Sequence, residues 1–92
     1  MAEDVVAVVQ QGTQVPFGSV LVGAMRVGLL DGALAVRLAV RSRTGDDIQV
    51  VPVGGTVELP GEGVLRVDQI DPPADGERSR IHVTWLQEAV GE

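Results

Sequence analysis

The sequence predicts an all-β domain: an antiparallel β-sandwich of jelly-roll-like form, or a small β-barrel, of about seven strands. Three observations carry that expectation. Eighteen valines and three isoleucines dominate the apolar content, and β-branched side chains suit a pleated sheet but are stiff in a helix. Twelve glycines and five prolines divide the chain into short pieces. Between them apolar runs recur with turn residues in the gaps, and no stretch shows the spacing of an amphipathic helix.

The runs fall at 5–9, 18–30, 33–42, 47–53, 56–59, 63–70 and 79–87. Each gap carries turn chemistry: Gln11-Gly12, Asp31-Gly32, Thr44-Gly45-Asp46, Gly54-Gly55, Pro60-Gly61-Glu62-Gly63, and the acidic loop from Asp71 through Pro72 and Pro73 to Glu77. Neither an internal repeat nor a linker is apparent, so residues 1–92 are expected to form one domain. A chain of that length removes only roughly 60–65% of its unfolded surface from water. Its core is therefore thin, and a partner surface would supplement it.

The stretch MRVGLLDGALAVRLAV, residues 25–40, fixes the most detail. Asp-Gly between apolar runs favours a two-residue type I′ turn, whose central residues both need positive φ. Leu30 then faces Ala33, and Arg26 lies directly opposite Arg37. Continued without interruption, the ladder pairs Met25 with Leu38, Ala24 with Ala39 and Val22 with Arg41. Alternation assigns Leu29, Leu34, Val27, Val36, Met25, Leu38 and Val40 to the core. It assigns Gly28, Ala35, Arg26, Arg37, Ala24, Ala39, Val22 and Arg41 to the other face.

Like charges directly opposite on a sheet repel. A carboxylate on a neighbouring strand, Glu58 or Asp68, is one remedy, and splaying of the side chains into water is another. The functional alternative uses the bare backbone around the arginines: a second surface approaches there while Arg26, Arg37 and Arg41 hold an anion or a partner. That partner is expected to be a second copy of the chain, or else a small anionic molecule.

Other chemistry is sparse. The chain has no cysteine, tyrosine, lysine or asparagine, which closes off disulfides, thiolate metal sites, Schiff-base chemistry and N-glycosylation. A net charge of −6 and only two aromatic residues argue against nucleic acid. The acidic start and an apolar run of five residues fit neither a signal peptide nor a membrane span, so a cytoplasmic protein without membrane contact is expected.

The only histidine, His82, alternates with Ile81 and Val83 and reads as an exposed strand residue. With Asp68 or Asp71 it is the weak candidate for a catalytic proton-transfer dyad. Asp68, Asp71, Asp75 and Glu77 crowd one loop, but its double proline breaks the alternate spacing of a calcium loop. No metal and no cofactor is expected. Trp85 and Met25 are candidate pocket or interface anchors, Trp85 reading first as a core residue. The alternative function is a cyclase-like barrel or carrier that holds an apolar biosynthetic intermediate inside a cavity lined by valines, Met25 and Trp85.

Residues 50–71, VVPVGGTVELPGEGVLRVDQID, followed by RIHVTW at 80–85, resemble a group of small actinobacterial all-β proteins of unknown function. The likeness is carried by Gly55, Thr56, Gly61, Leu65, Val67, Asp68 and Ile70. That group usually has an aromatic near the position held here by Val57 or Val64, which this chain lacks. The resemblance implies a small all-β fold and no particular activity.

Overall fold

The structure is a computed structural model describing residues 4–73 and 78–87. In chain order the strands are β1 (Asp4–Gln10), β2 (Gln14–Phe17), β3 (Val20–Leu30), β4 (Ala33–Ser42), β5 (Gly45–Pro52), β6 (Thr56–Leu59), β7 (Gly63–Asp71) and β8 (Arg80–Gln87). They make two antiparallel four-stranded sheets, ordered β1-β8-β7-β6 and β2-β3-β4-β5, packed face to face as a sandwich. The strand absent from the sequence expectation is β2, whose short QVPF run contains Pro16. Among the described residues its strand partner is β3 alone, and an edge position tolerates a residue with no N–H to give a second neighbour.

The connections are sequential rather than those of a jelly roll. Strands β2 to β5 form one meander and β6 to β8 another, and β8 closes the first sheet against β1. Between the sheets lie Val9, Phe17, Val20, Val22, Val36, Leu38, Val51, Val57, Leu59, Leu65, Val67, Ile81 and Val83, all essentially without solvent contact. Phe17 meets Trp85 edge to face, ring centroids 5.5 Å apart at 79°.

The Asp31-Gly32 turn has the expected geometry, with φ of 52° and 83°. From it the β3–β4 ladder runs as anticipated, through Leu29 opposite Leu34 and Val27 opposite Val36 to Arg26 opposite Arg37. It then departs. A bulge at Met25 pairs Ala24 with Leu38, Gly23 with Ala39, Val22 with Val40 and Leu21 with Arg41. An extra residue in one strand flips every later side chain to the opposite face. Val22 and Ala24 therefore point into the core, and Met25 is 46% exposed, correcting all three placements.

The fold carries an internal repeat where the sequence predicts none. The chain folds as two matching halves, β1–β4 and β5–β8, each placing its first strand in the other half's sheet. The ladder of β7 with β8 repeats that of β3 with β4, a bulge at Asp68 standing where Met25 stands. Val9 opposite Ile81 corresponds to Val51 opposite Val36.

The corners between sheets match as well. Gly12 N–H donates to Ala24 O at 2.8 Å and Ala24 N–H to Thr13 O at 3.2 Å; Gly54 N–H donates to Val67 O at 2.7 Å and Val67 N–H to Gly55 O at 2.9 Å. Both corner glycines hold left-handed backbone, φ 88° and 89°. These corners cause the bulges, because Ala24 and Val67 each give both backbone groups to a crossing segment. The repetition is faint in the letters: Val8, Val9, Gly12 and Val15 recur as Val50, Val51, Gly54 and Val57, while β3 and β4 share almost no residue types with β7 and β8. A longer β6–β7 turn and β7–β8 loop also shift the spacing.

Candidate functional site

Arg26 and Arg37 lie on the outer face of the β2–β5 sheet, as the turn requires. The strand beside them brings neither Glu58 nor Asp68: Glu58 is on β6 and Asp68 on β7, both in the other sheet. Instead Val50 of β5 stands opposite Arg37. The expected neutralising carboxylate is therefore absent from the neighbouring strand, and among the described residues neither arginine has an ion-pair partner. Arg41, four rows along β4 on the same face, differs: Asp46 faces it in register, at 3.7 Å.

Arg26, Gly28, Leu29, Leu30, Ala35, Arg37 and Val50 bound a surface cleft of about 250 Å³. Ala35, 3% exposed, forms its floor. Its edge is apolar, because the β3–β4 hairpin runs on past the sandwich and leaves Leu29 74% and Leu30 41% exposed. Leu29, read from alternation as core, has no facing sheet at that distance. Ile48 and Val50 continue the exposed apolar surface along β5. Two cations without carboxylates, a bare backbone at Gly28 and an oily rim make a surface suited to a negatively charged group with apolar surroundings.

Met25 lies outside this cleft, in a separate depression with Gly12, Gln14, Gly23, Ala39 and Arg41. Trp85 faces inward, partly buried, and its indole N–H donates to Glu62 O at 2.7 Å. These two residues therefore do not line a common interior cavity. The Glu62 carboxylate reaches across the end of the sandwich and accepts from Ser19 Oγ at 2.8 Å and Ser19 N–H at 3.2 Å.

The outer face of the other sheet holds the second group of candidates, already satisfied among themselves. His82 Nε2 lies 2.8 Å from Asp71 Oδ2, and Gln69 Nε2 donates to Asp71 Oδ1 at 2.6 Å. Arg66 Nε donates to Asp68 Oδ1 at 2.6 Å, and Thr84 Oγ1 donates to Asp68 Oδ2. The bonds from Thr84 and then Arg66 hold the Asp68 carboxyl below its ordinary value, and those from His82 and then Gln69 do the same for Asp71. Of the two carboxylates expected near His82, Asp71 is the one bonded to it. The arrangement can pass a proton between imidazole and carboxylate. Its two oxygens are both occupied by side chains of the same surface, so it reads as a charge ladder across β7 and β8.

Asp75 and Glu77 lie outside the described residues. Among the described residues no group of three or more histidine, cysteine or acidic side chains is placed to hold a metal ion. No helix among them is long and apolar enough to cross a membrane. No family model matches the chain, and neither curated proteins nor solved structures contain a significant match.

Proposed function

We propose that the protein is a non-catalytic assembly module that associates with a second copy of itself through the outer face of β2–β5. One observation carries the reading: Arg26 and Arg37 oppose each other across the β3–β4 ladder without a carboxylate partner among the described residues, beside a bare Gly28. A like-charged cross-strand pair costs a few tenths up to about 1 kcal/mol, and a partner's carboxylate reverses that sign. The exposed Leu30, Ile48 and Val50 supply apolar area on the same face.

Charge complementarity favours a second copy as the partner. The chain carries 13 acids against 7 arginines, and Asp31 sits at the exposed hairpin tip. At the usual strand rise it lies about 17 Å along the ribbon from Arg26. A two-fold axis passing over Gly28 and Ala35 lays two hairpins antiparallel, face to face, where nothing larger than a methyl group stands on the axis. Each tip then reaches the other copy's arginine pair, and every contact is made twice. Such a module works in the cytoplasm in this reading, where a chain without cysteine forgoes nothing.

Sedimentation equilibrium on wild type and Arg37→Glu tests the proposal. The expected result is a reversible dimer for wild type and at least tenfold weaker association for the variant. A wild type that stays monomeric at high concentration, or a variant that associates equally well, contradicts it.

A further inference from the structure

The matching halves give the arginine cleft an internal reference. By ladder position Arg26 corresponds to Gln69, Arg37 to His82, Ala35 to Arg80 and Gly28 to Asp71. The fifth member matches too, since Val50 faces Arg37 as Val8 faces His82. In the β7–β8 half the Asp71 carboxylate sits between the Gln69 amide and the His82 ring and bonds to both. In the β3–β4 half the two flanking donors are stronger, both being guanidinium groups, and the residue that would carry the carboxylate is glycine. A Cβ built on Gly28 meets nothing within 4 Å. The donors are in place, the acceptor is missing, and the space for it is open.

We infer that the cleft is a binding site for a free organic monocarboxylate, whose carboxylate sits over Gly28 between Arg26 and Arg37 where the other half has Asp71. The ligand's remainder lies against Leu29, Leu30 and Val50, which calls for a short apolar chain. A volume of about 250 Å³ admits a molecule of that size. A single negative charge fits better than several, because the protein's own charge of −6 repels polyanions. Since the same arginines form the proposed contact with a second copy, ligand and second copy compete for one surface. The inference thus deepens the assembly reading by naming what regulates it.

Hexanoate is the probe, with hexanamide as its uncharged counterpart, titrated into dilute protein and followed by calorimetry and by amide chemical shifts. Hexanoate should bind one to one, at least tenfold more tightly than hexanamide, with shifts centred on residues 26–37. Gly28→Asp supplies an internal carboxylate between the arginines, so it should weaken hexanoate at least tenfold and raise the melting temperature at low salt. Arg37→Gln should weaken binding comparably without filling the space, which separates lost charge from steric blockage. Absence of hexanoate binding, equal binding of hexanamide, or wild-type affinity in both variants overturns the inference.

Sedimentation in the presence and absence of hexanoate separates this result from the assembly reading. Hexanoate binding to a chain that never associates sustains the site and removes the dimer. Association that depends on Arg37 while hexanoate fails to bind sustains the dimer and removes the site.

Discussion

Gly28 and Asp71 occupy the same position in the two halves of the sandwich, Gly28 opposite Ala35 and Asp71 opposite Arg80 in matching ladders. One half completes its polar surface internally through Asp71, and the other leaves two guanidinium groups facing solvent. The difference separates a surface whose donors are bonded from one whose donors are not.

An arginine pair kept for binding should cost the isolated chain stability. Replacing either member, as in Arg26→Ala or Arg37→Ala, should stabilise dilute monomer by a few tenths up to about 1 kcal/mol. The gain should shrink as salt screens the repulsion. Urea denaturation at low and high salt measures it, and a variant less stable than wild type at low salt would mean the pair is already compensated.

The other sheet should respond to acid. Asp68 and Asp71 both have folded-state values held below the ordinary 3.8, Asp68 through Thr84 and Arg66, Asp71 through His82 and Gln69. A carboxylate whose value is depressed on folding contributes stability that is complete above its unfolded value. That contribution is lost as the pH falls through the folded one. Asp68→Asn should therefore be less stable than wild type near neutrality, and the two urea midpoints should converge as the pH falls below 3.8 and through the lowered folded-state value. A constant gap across the range would remove the charge-assisted bonds from the explanation.

The two corners should behave alike. Gly12→Ala and Gly54→Ala each place a side chain at strongly positive φ, which costs on the order of 1 kcal/mol or more. Gly12 should be affected somewhat more, because a Cβ there also meets the Arg78 side chain. Thermal unfolding of both variants is the measurement, and loss at one corner alone would deny their equivalence.

Ser79 offers a stabilising change. It is fully buried, and its Oγ has no hydrogen-bond partner among the described residues, while its counterpart in the other half is Leu34. A buried unsatisfied hydroxyl costs about 1–3 kcal/mol, so Ser79→Ala should raise the melting temperature. A drop on calorimetry would show that the hydroxyl is bonded.

What could be read from the letters was local. Asp31-Gly32 dictates its own turn, and five rows of pairing follow from it, down to Arg26 opposite Arg37. The bulge at Met25 could not be read there, because its cause is Gly12 and Thr13 bonding to Ala24 from the β1–β2 connection. Val22, Ala24 and Met25 changed faces for that reason. Strand β2 was hidden by Pro16, which reads as a breaker until its edge position is known. The duplication leaves only a short trace, VVxxGxxV at 8–15 and 50–57, because β3–β4 and β7–β8 differ at nearly every matched position, Gly28 against Asp71 among them. Backbone register reveals the correspondence where residue identity conceals it.

Charge reversal across the two-fold contact is the most direct measurement of all. Arg37→Glu and Asp31→Arg are prepared separately, then mixed, with mass followed by sedimentation. Each variant alone sets like charges against each other at the tips and should be monomeric. Mixed, one contact restores an acid–arginine pair in the original sense and the other in the reversed sense, so a heterodimer should form. If the mixture stays monomeric while wild type dimerises, the second copy does not sit over Gly28 and Ala35 as described.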